Sequence, residues 1–184
     1  MNSAVKYKKH VKSNRDKIRT TVTKYPGLRF HQIKTQTNIA NGTVQHHLDQ
    51  LVKSESIQVN YQKQIPRYYP HDVESINQVI LLRLRQNTTS KIIKAILKNE
   101  CQTFGQMVKF SKKSPGTVSV YKNMLLKDKI IIGDTNTCKC NNTLNSKVKY
   151  RLTDPDKVRL LVEEYGKSSL KRSADNLADI FLSL

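Results

Sequence analysis

Two short stretches of this chain hold residue types that could do chemistry. They are His46-His47, within A-N-G-T-V-Q-H-H-L-D-Q-L (40–51), and Cys138-Lys139-Cys140, within a polar run at 134–146. Imidazole and thiolate are zinc ligands, and imidazole is also the usual general base near neutral pH. Neither chemistry fits the spacing. On a helix, adjacent residues point about 100° apart, so His46 and His47 cannot both grip one ion; i, i+4 spacing does that. No third ligand stands nearby, and no Ser or Cys nucleophile, carboxylate pair or glycine-rich phosphate loop accompanies them. The C-x-C pair, even with Cys101, falls short of the four ligands of a structural zinc site and lacks the C-x2-C spacing of a knuckle. Reduced thiols are the plainer reading of Cys101, Cys138 and Cys140, with metal or redox sensing left open. We therefore expect no enzyme, no metal and no cofactor.

If chemistry is not the role of the histidines, the helix that carries them must explain them. Val44, Leu48 and Leu51 recur at i, i+4 and i+7, an apolar stripe that turns inward. His47 flanks that stripe and is expected to be half-packed. His46 points away from the core with Thr43, beside Gln45, Asp49 and Gln50. Such a face is either simply solvated or presented to the major groove of a duplex. There Gln45 suits adenine, Thr43 a phosphate or a thymine methyl, and His46 a base edge or a phosphate.

The surrounding pattern favours the groove. Thirty-three Lys and Arg against fourteen Asp and Glu leave a formal charge of +19 on 184 residues, which predicts a polyanionic partner. The basic residues are scattered rather than gathered beside an apolar segment, and no run approaches the roughly 20 residues of a membrane span. The N-terminus lacks the apolar core of a signal sequence, and three cysteines do not make a secreted disulfide scaffold. A soluble cytoplasmic, nucleoid-associated protein is expected.

The chain also repeats itself at an offset of 74. F-H-Q-I at 30–33 lies over F-G-Q-M at 104–107, G-T-V at 42–44 over G-T-V at 116–118, and Ile18, Val22, Leu51, Lys53 and Ile57 over Ile92, Ile96, Leu125, Lys127 and Ile131. Ungapped agreement over this length predicts two copies of one unit. In the first, Ser13 and Asp16 resemble a capping box, Pro26-Gly27 stops the first helix, and helices follow at 29–37 and 41–54 with Asn41 as cap. Strands at 57–61 and 65–69 flank the polar turn Gln62-Lys63-Gln64. The second copy predicts helices at 89–98, 104–110 and 114–128 and a longer hairpin, 130–133 out and 147–152 back. Three helices and a hairpin make a helix-turn-helix with a wing.

F-x-x-I…N-G-T-V-x-H-H-L-x-x-L followed by R-Y-Y-P resembles archaeal winged-helix transcriptional regulators, and more narrowly those with two winged units in tandem and a C-terminal helical tail. Where that family carries Gly/Ser-Thr-Val-Ser-Tyr-His-Leu, this chain has Gly42-Thr43-Val44-Gln45-His46-His47-Leu48. The second copy departs, with Thr117-Val118-Ser119-Val120-Tyr121-Lys122 and no His-Leu pair. The resemblance implies sequence-specific binding of double-stranded DNA. The expected fold is mainly α with small β-hairpin wings. Its parts are a basic N-terminal arm (1–12, with Lys6, Lys8, Lys9 and Lys12), a first winged-helix domain (13–71), a linking helix (72–88), a second winged-helix domain (89–153) and a helical tail (154–184).

The expected DNA-facing residues of the first copy are Lys34, Asn41, Thr43, Gln45, His46, Asp49, Gln50, Lys53, Gln62, Lys63 and Arg67. Those of the second are Lys112, Lys113, Ser114, Thr117, Ser119, Val120, Lys122, Asn123, Lys127 and Lys139. The lysines and Arg67 suit phosphates, which fix position without reading sequence. In the linking helix Val73, Ile76, Ile80 and Leu84 share a face that Val79, Leu81 and Leu82 widen, so it should be buried. In the tail, Val158, Leu161, Val162 and Tyr165 form one amphipathic helix. Leu170, Ala174, Leu177, Phe181 and Leu184 then make a two-heptad seam, too short to stand alone and suited to a homodimer or to packing on the body. The alternatives to a regulator are an architectural DNA protein with little sequence preference and a winged-helix interaction module in a transcription assembly.

Overall fold

A computed structural model describes residues 13–134 and 148–165, and these divide into two units at Asp72/Val73. The described residues are mainly helical, with eight helices and five short strands paired antiparallel. None of the helices is long and apolar enough to cross a membrane.

In the first unit α1 (Asn14–Lys24) begins at Ser13, whose side chain accepts from the Asp16 N–H while its hydroxyl donates to the Asp16 carboxylate at 2.8 Å. Ser13 and Arg19 hold the Asp16 carboxyl below its usual range. Ile18 and Val22, one turn apart, are fully buried. After Tyr25 the chain turns through Pro26-Gly27 into α2 (Phe30–Thr37) and α3 (Asn41–Lys53). Val44, Leu48 and Leu51 of α3 close on α1 and, with Ile33 of α2, form the core.

Strands β1 (Ile57–Gln62) and β2 (Ile65–Pro70) follow, in a register that sets Gln62 opposite Ile65. The turn is therefore two residues, Lys63-Gln64, and not the three predicted. Both lie in the left-handed region, φ 48° and 66°, as the twist-matched I′ turn of a tight hairpin requires. Asn-Gly fills such a turn without strain; lysine and glutamine do so at a cost. The double substitution Lys63→Asn, Gln64→Gly is expected to stabilise the unit by about 1–2 kcal/mol in urea unfolding. If Lys63 meets a phosphate, the same change should lower the salt dependence of DNA binding by about one ion.

In the second unit α4 (Ser75–Arg85) packs on α5 (Asn87–Asn99) and on α8 (Pro155–Tyr165). Its buried side is Gln78, Ile80, Leu81 and Leu82, whereas Ile76 is 45% exposed and Leu84 only half-buried. The predicted face is rotated because the amide of Gln78 is satisfied by the Val73 carbonyl at 3.0 Å, so a polar residue takes an inward position. Strand β3 (Cys101–Thr103), not anticipated, leads into α6 (Phe104–Ser111) and α7 (Pro115–Lys127). It pairs with β5 (Lys149–Leu152), which also pairs with β4 (Ile131–Asp134), giving a sheet of order β3-β5-β4. Of the tail, α8 buries Val158 and Leu161; the 170–184 seam, the basic arm, Lys139, Cys138 and Cys140 lie outside the described residues.

Helices α6 and α7 begin and end 74 residues after α2 and α3 at both ends of each. The joints match too. Asn38 (φ 54°) and Lys112 (φ 55°) each take the left-handed conformation after the first helix, and their N–H groups donate to Lys34 and Val108 carbonyls at 2.8 and 3.1 Å.

Tyr121 of α7 is buried, and burial raises its pKa above the ordinary 10.0 while a hydrogen bond to Thr88 works the other way. The neutral phenol is thus favoured in the folded chain. Its contribution is complete below pH 10 and is lost as pH rises through the higher folded value. Tyr121→Phe is expected to cost about 1 kcal/mol at pH 7. It should also flatten the fall of melting temperature above pH 10, which a thermal scan across pH 8–11 measures.

Candidate nucleic-acid interface

The face of α3 turned from the core holds the predicted readers, and the structure shows how they are held. Gln45, His46, Asp49, Gln50 and Lys53 are exposed and Thr43 is half-buried. The Gln45 side-chain amide donates to Asp49 Oδ1 at 2.9 Å, one turn along. That leaves Gln45 one N–H and its carbonyl oxygen, the pair that meets adenine N7 and N6. Asp49 thereby fixes the amide in place before any partner arrives, at the expense of one negative charge on the surface.

His47 is half-packed, with its Nδ1 buried and without a hydrogen-bond partner, and its ring stands 5.4 Å from that of exposed His46. One histidine packs and its neighbour faces out. Among the described residues no three His, Cys, Asp or Glu side chains gather as metal ligands, and Cys101 is buried in β3.

Two expectations for this unit need correcting. Asn41 is the first helical residue of α3; the capping position is Ala40, which offers no side-chain acceptor. Arg67 does not face a phosphate. It is 3% exposed, and its Nη1 donates to the Gly27 carbonyl at 2.9 Å. The reason lies in β2, which is covered on both sides. On one it pairs with β1, and on the other the Gly27 N–H donates to the Tyr68 carbonyl and the Tyr68 N–H to the Leu28 carbonyl. Alternation of exposed and buried residues therefore fails along β2. A residue not anticipated is Tyr61, 66% exposed on β1 one step from the turn. It sits opposite Pro66, beside exposed Lys63 and half-buried Gln62. An outward aromatic in a strand next to a basic tip was the available signal. Lys34, on α2, is exposed as expected.

In the second unit Ser114 caps α7, accepting from the Thr117 N–H at 3.3 Å and lying 2.9 Å from the Thr117 hydroxyl, so both side chains serve the helix start. Pro115 follows at the first helical position. Lys122 does not reach outward: its ammonium lies 5.9 Å from the Phe104 ring centroid and 5.4 Å from that of Tyr150. Lys112, Lys113, Asn123 and Lys127 are exposed, as is Val120, with Ser119 half-buried.

Residues 12–81 match the family described as HTH_HVO_0163_N, an N-terminal HTH domain. No curated protein matches the chain. The stretch that holds α1, α2, α3 and the β1–β2 hairpin is thus similar, in sequence as in geometry, to a helix-turn-helix domain, whose partner is DNA.

Proposed function

We propose that this protein reads double-stranded DNA by sequence and regulates transcription. In this reading α3 and α7 are the groove helices of two winged helix-turn-helix units in tandem. The reading rests on one observation above the others: the outward face of α3 carries Gln45 pre-set by Asp49 beside exposed His46, where a helix-turn-helix places its readers. The 74-residue agreement of helix ends and left-handed joints supports a second unit of the same kind. The protein acts as a binding protein rather than an enzyme, in the cytoplasm and on the nucleoid. In this reading the protein works as a homodimer, and transcription machinery is a further partner.

Fluorescence anisotropy separates this from binding by charge alone. Duplexes selected from a random pool are titrated against the pool at several salt concentrations. The selected duplexes should bind about a thousandfold tighter. Gln45→Ala with His46→Ala should remove most of that gap and leave pool affinity nearly unchanged. Asp49→Ala should raise pool affinity, by removing a negative charge, while narrowing the gap. A steep salt dependence with no winning sequence would instead make the protein architectural, with +19 alone at work.

A further inference from the structure

The α6–α7 joint carries a combination of groups that the first unit lacks. Phe110 and Val120 are 49% and 41% exposed, and at the 74-residue offset they stand where the first unit has Gln36 and His46. Val120 is the sixth residue of α7 as His46 is the sixth of α3. It follows buried Val118 by two positions, about 200° round the helix, and so faces away from the core.

The charge along the segment that carries these two side chains has one sign. From Cys101 to Lys127 the sequence holds five lysines, at 109, 112, 113, 122 and 127, and no Asp or Glu. Over 27–53 the first unit has Arg29, Lys34 and Lys53 with Asp49 against them. A segment with five lysines and no carboxylate repels a second copy of itself. A duplex major groove offers what such a surface lacks: phosphates along both rims and, on its floor, one exposed apolar group, the C5 methyl of thymine.

We infer that Val120, and to a lesser extent Phe110, reads thymine methyl groups. The second unit would then choose A·T pairs by apolar contact, while the first chooses by hydrogen bonding. This inference rests on the duplex-binding reading above and names the chemistry of its second half.

The test uses the full chain and a selected duplex remade with each thymine in turn replaced by deoxyuridine. That exchange removes the methyl and keeps every hydrogen-bonding group. For the wild type, replacement at one or two positions is expected to weaken binding about fourfold, the worth of one buried methyl-sized group. Val120→Ala should bind the thymine duplex as weakly as the wild type binds the deoxyuridine one, and lose the sensitivity at those positions. Phe110→Ala should show a smaller loss of the same kind. Insensitivity at every thymine, or equal sensitivity in wild type and Val120→Ala, overturns the inference while leaving duplex binding intact. Unchanged duplex affinity in both variants with an altered sedimentation coefficient also overturns it, and assigns the patch to self-association. Absence of any duplex binding by the wild type is a different result, since it sinks the functional reading as well.

Discussion

Arg83→Ala is expected to destabilise the second unit by about 3–5 kcal/mol, read as a lowered urea midpoint with an unchanged slope. Arg83 Nε donates to the Asp128 carboxylate, and the two side chains are only 12% and 17% exposed. The pair ties α4 to the residue that closes α7. Around it Arg83 Nη1 lies 3.4 Å from Gln86 Oε1, and the Thr89 hydroxyl donates to the carbonyls of Arg83 and Gln86. Removing the guanidinium leaves a largely buried carboxylate without its partner, and the cost is mostly that of the orphan rather than of the bond. The double variant Arg83→Ala, Asp128→Ala should therefore be less damaging than the sum of the two singles, by 1 kcal/mol or more on the scale of coupled neighbours. A single-variant loss below about 1 kcal/mol would show the pair to be an ordinary surface contact.

The second large effect is expected at Gly27. Its φ of +80° lies in the left-handed region, and a Cβ there would sit 3.1 Å from Cε1 and Oη of Tyr69, which is fully buried. Two costs add in Gly27→Ala: about 1–2 kcal/mol for the backbone and about 1–3 for forcing the ring aside. Tyr69→Leu in the same chain should return part of the second and none of the first. Gly27 also accepts from Arg67 and donates to Tyr68, so the substitution loosens β2 at its covered edge. Duplex affinity should fall with stability, most at the hairpin side of the site. A Gly27→Ala protein with wild-type stability would mean that the turn relaxes freely and that β2 is not held from this side.

Most of the helices were legible because their signals are local. Pro26-Gly27 ends α1, Ser114-Pro115 opens α7, and the i, i+4, i+7 stripe of Val44, Leu48 and Leu51 orients α3 without knowledge of anything else. From that orientation alone the different surroundings of His46 and His47 follow. What escaped depends on partners far along the chain. Cys101-Gln102-Thr103 is too short to alternate; it becomes a strand only because β5 returns beside it. Arg67 is a basic residue near a hairpin, and nothing local says that the Gly27–Leu28 segment covers its strand. Gln78 is buried because a carbonyl five residues earlier satisfies it, which a pattern of apolar and polar letters cannot encode. The Gln45–Asp49 bond was within reach of the i, i+4 rule, yet both residues read as separate members of a polar face.

The equal lengths of α2 and α6 and of α3 and α7, with the same left-handed joint between the helices of each pair, bear on how such a protein can change. Residues 30–53 and 104–127 span the same number of positions with the same breaks. Outward residues of one can be written onto the other without altering the frame beneath. If the proposed reading holds, specificity on this frame behaves as movable type: the tray is fixed, and a new word needs only different letters at positions such as 46 and 120.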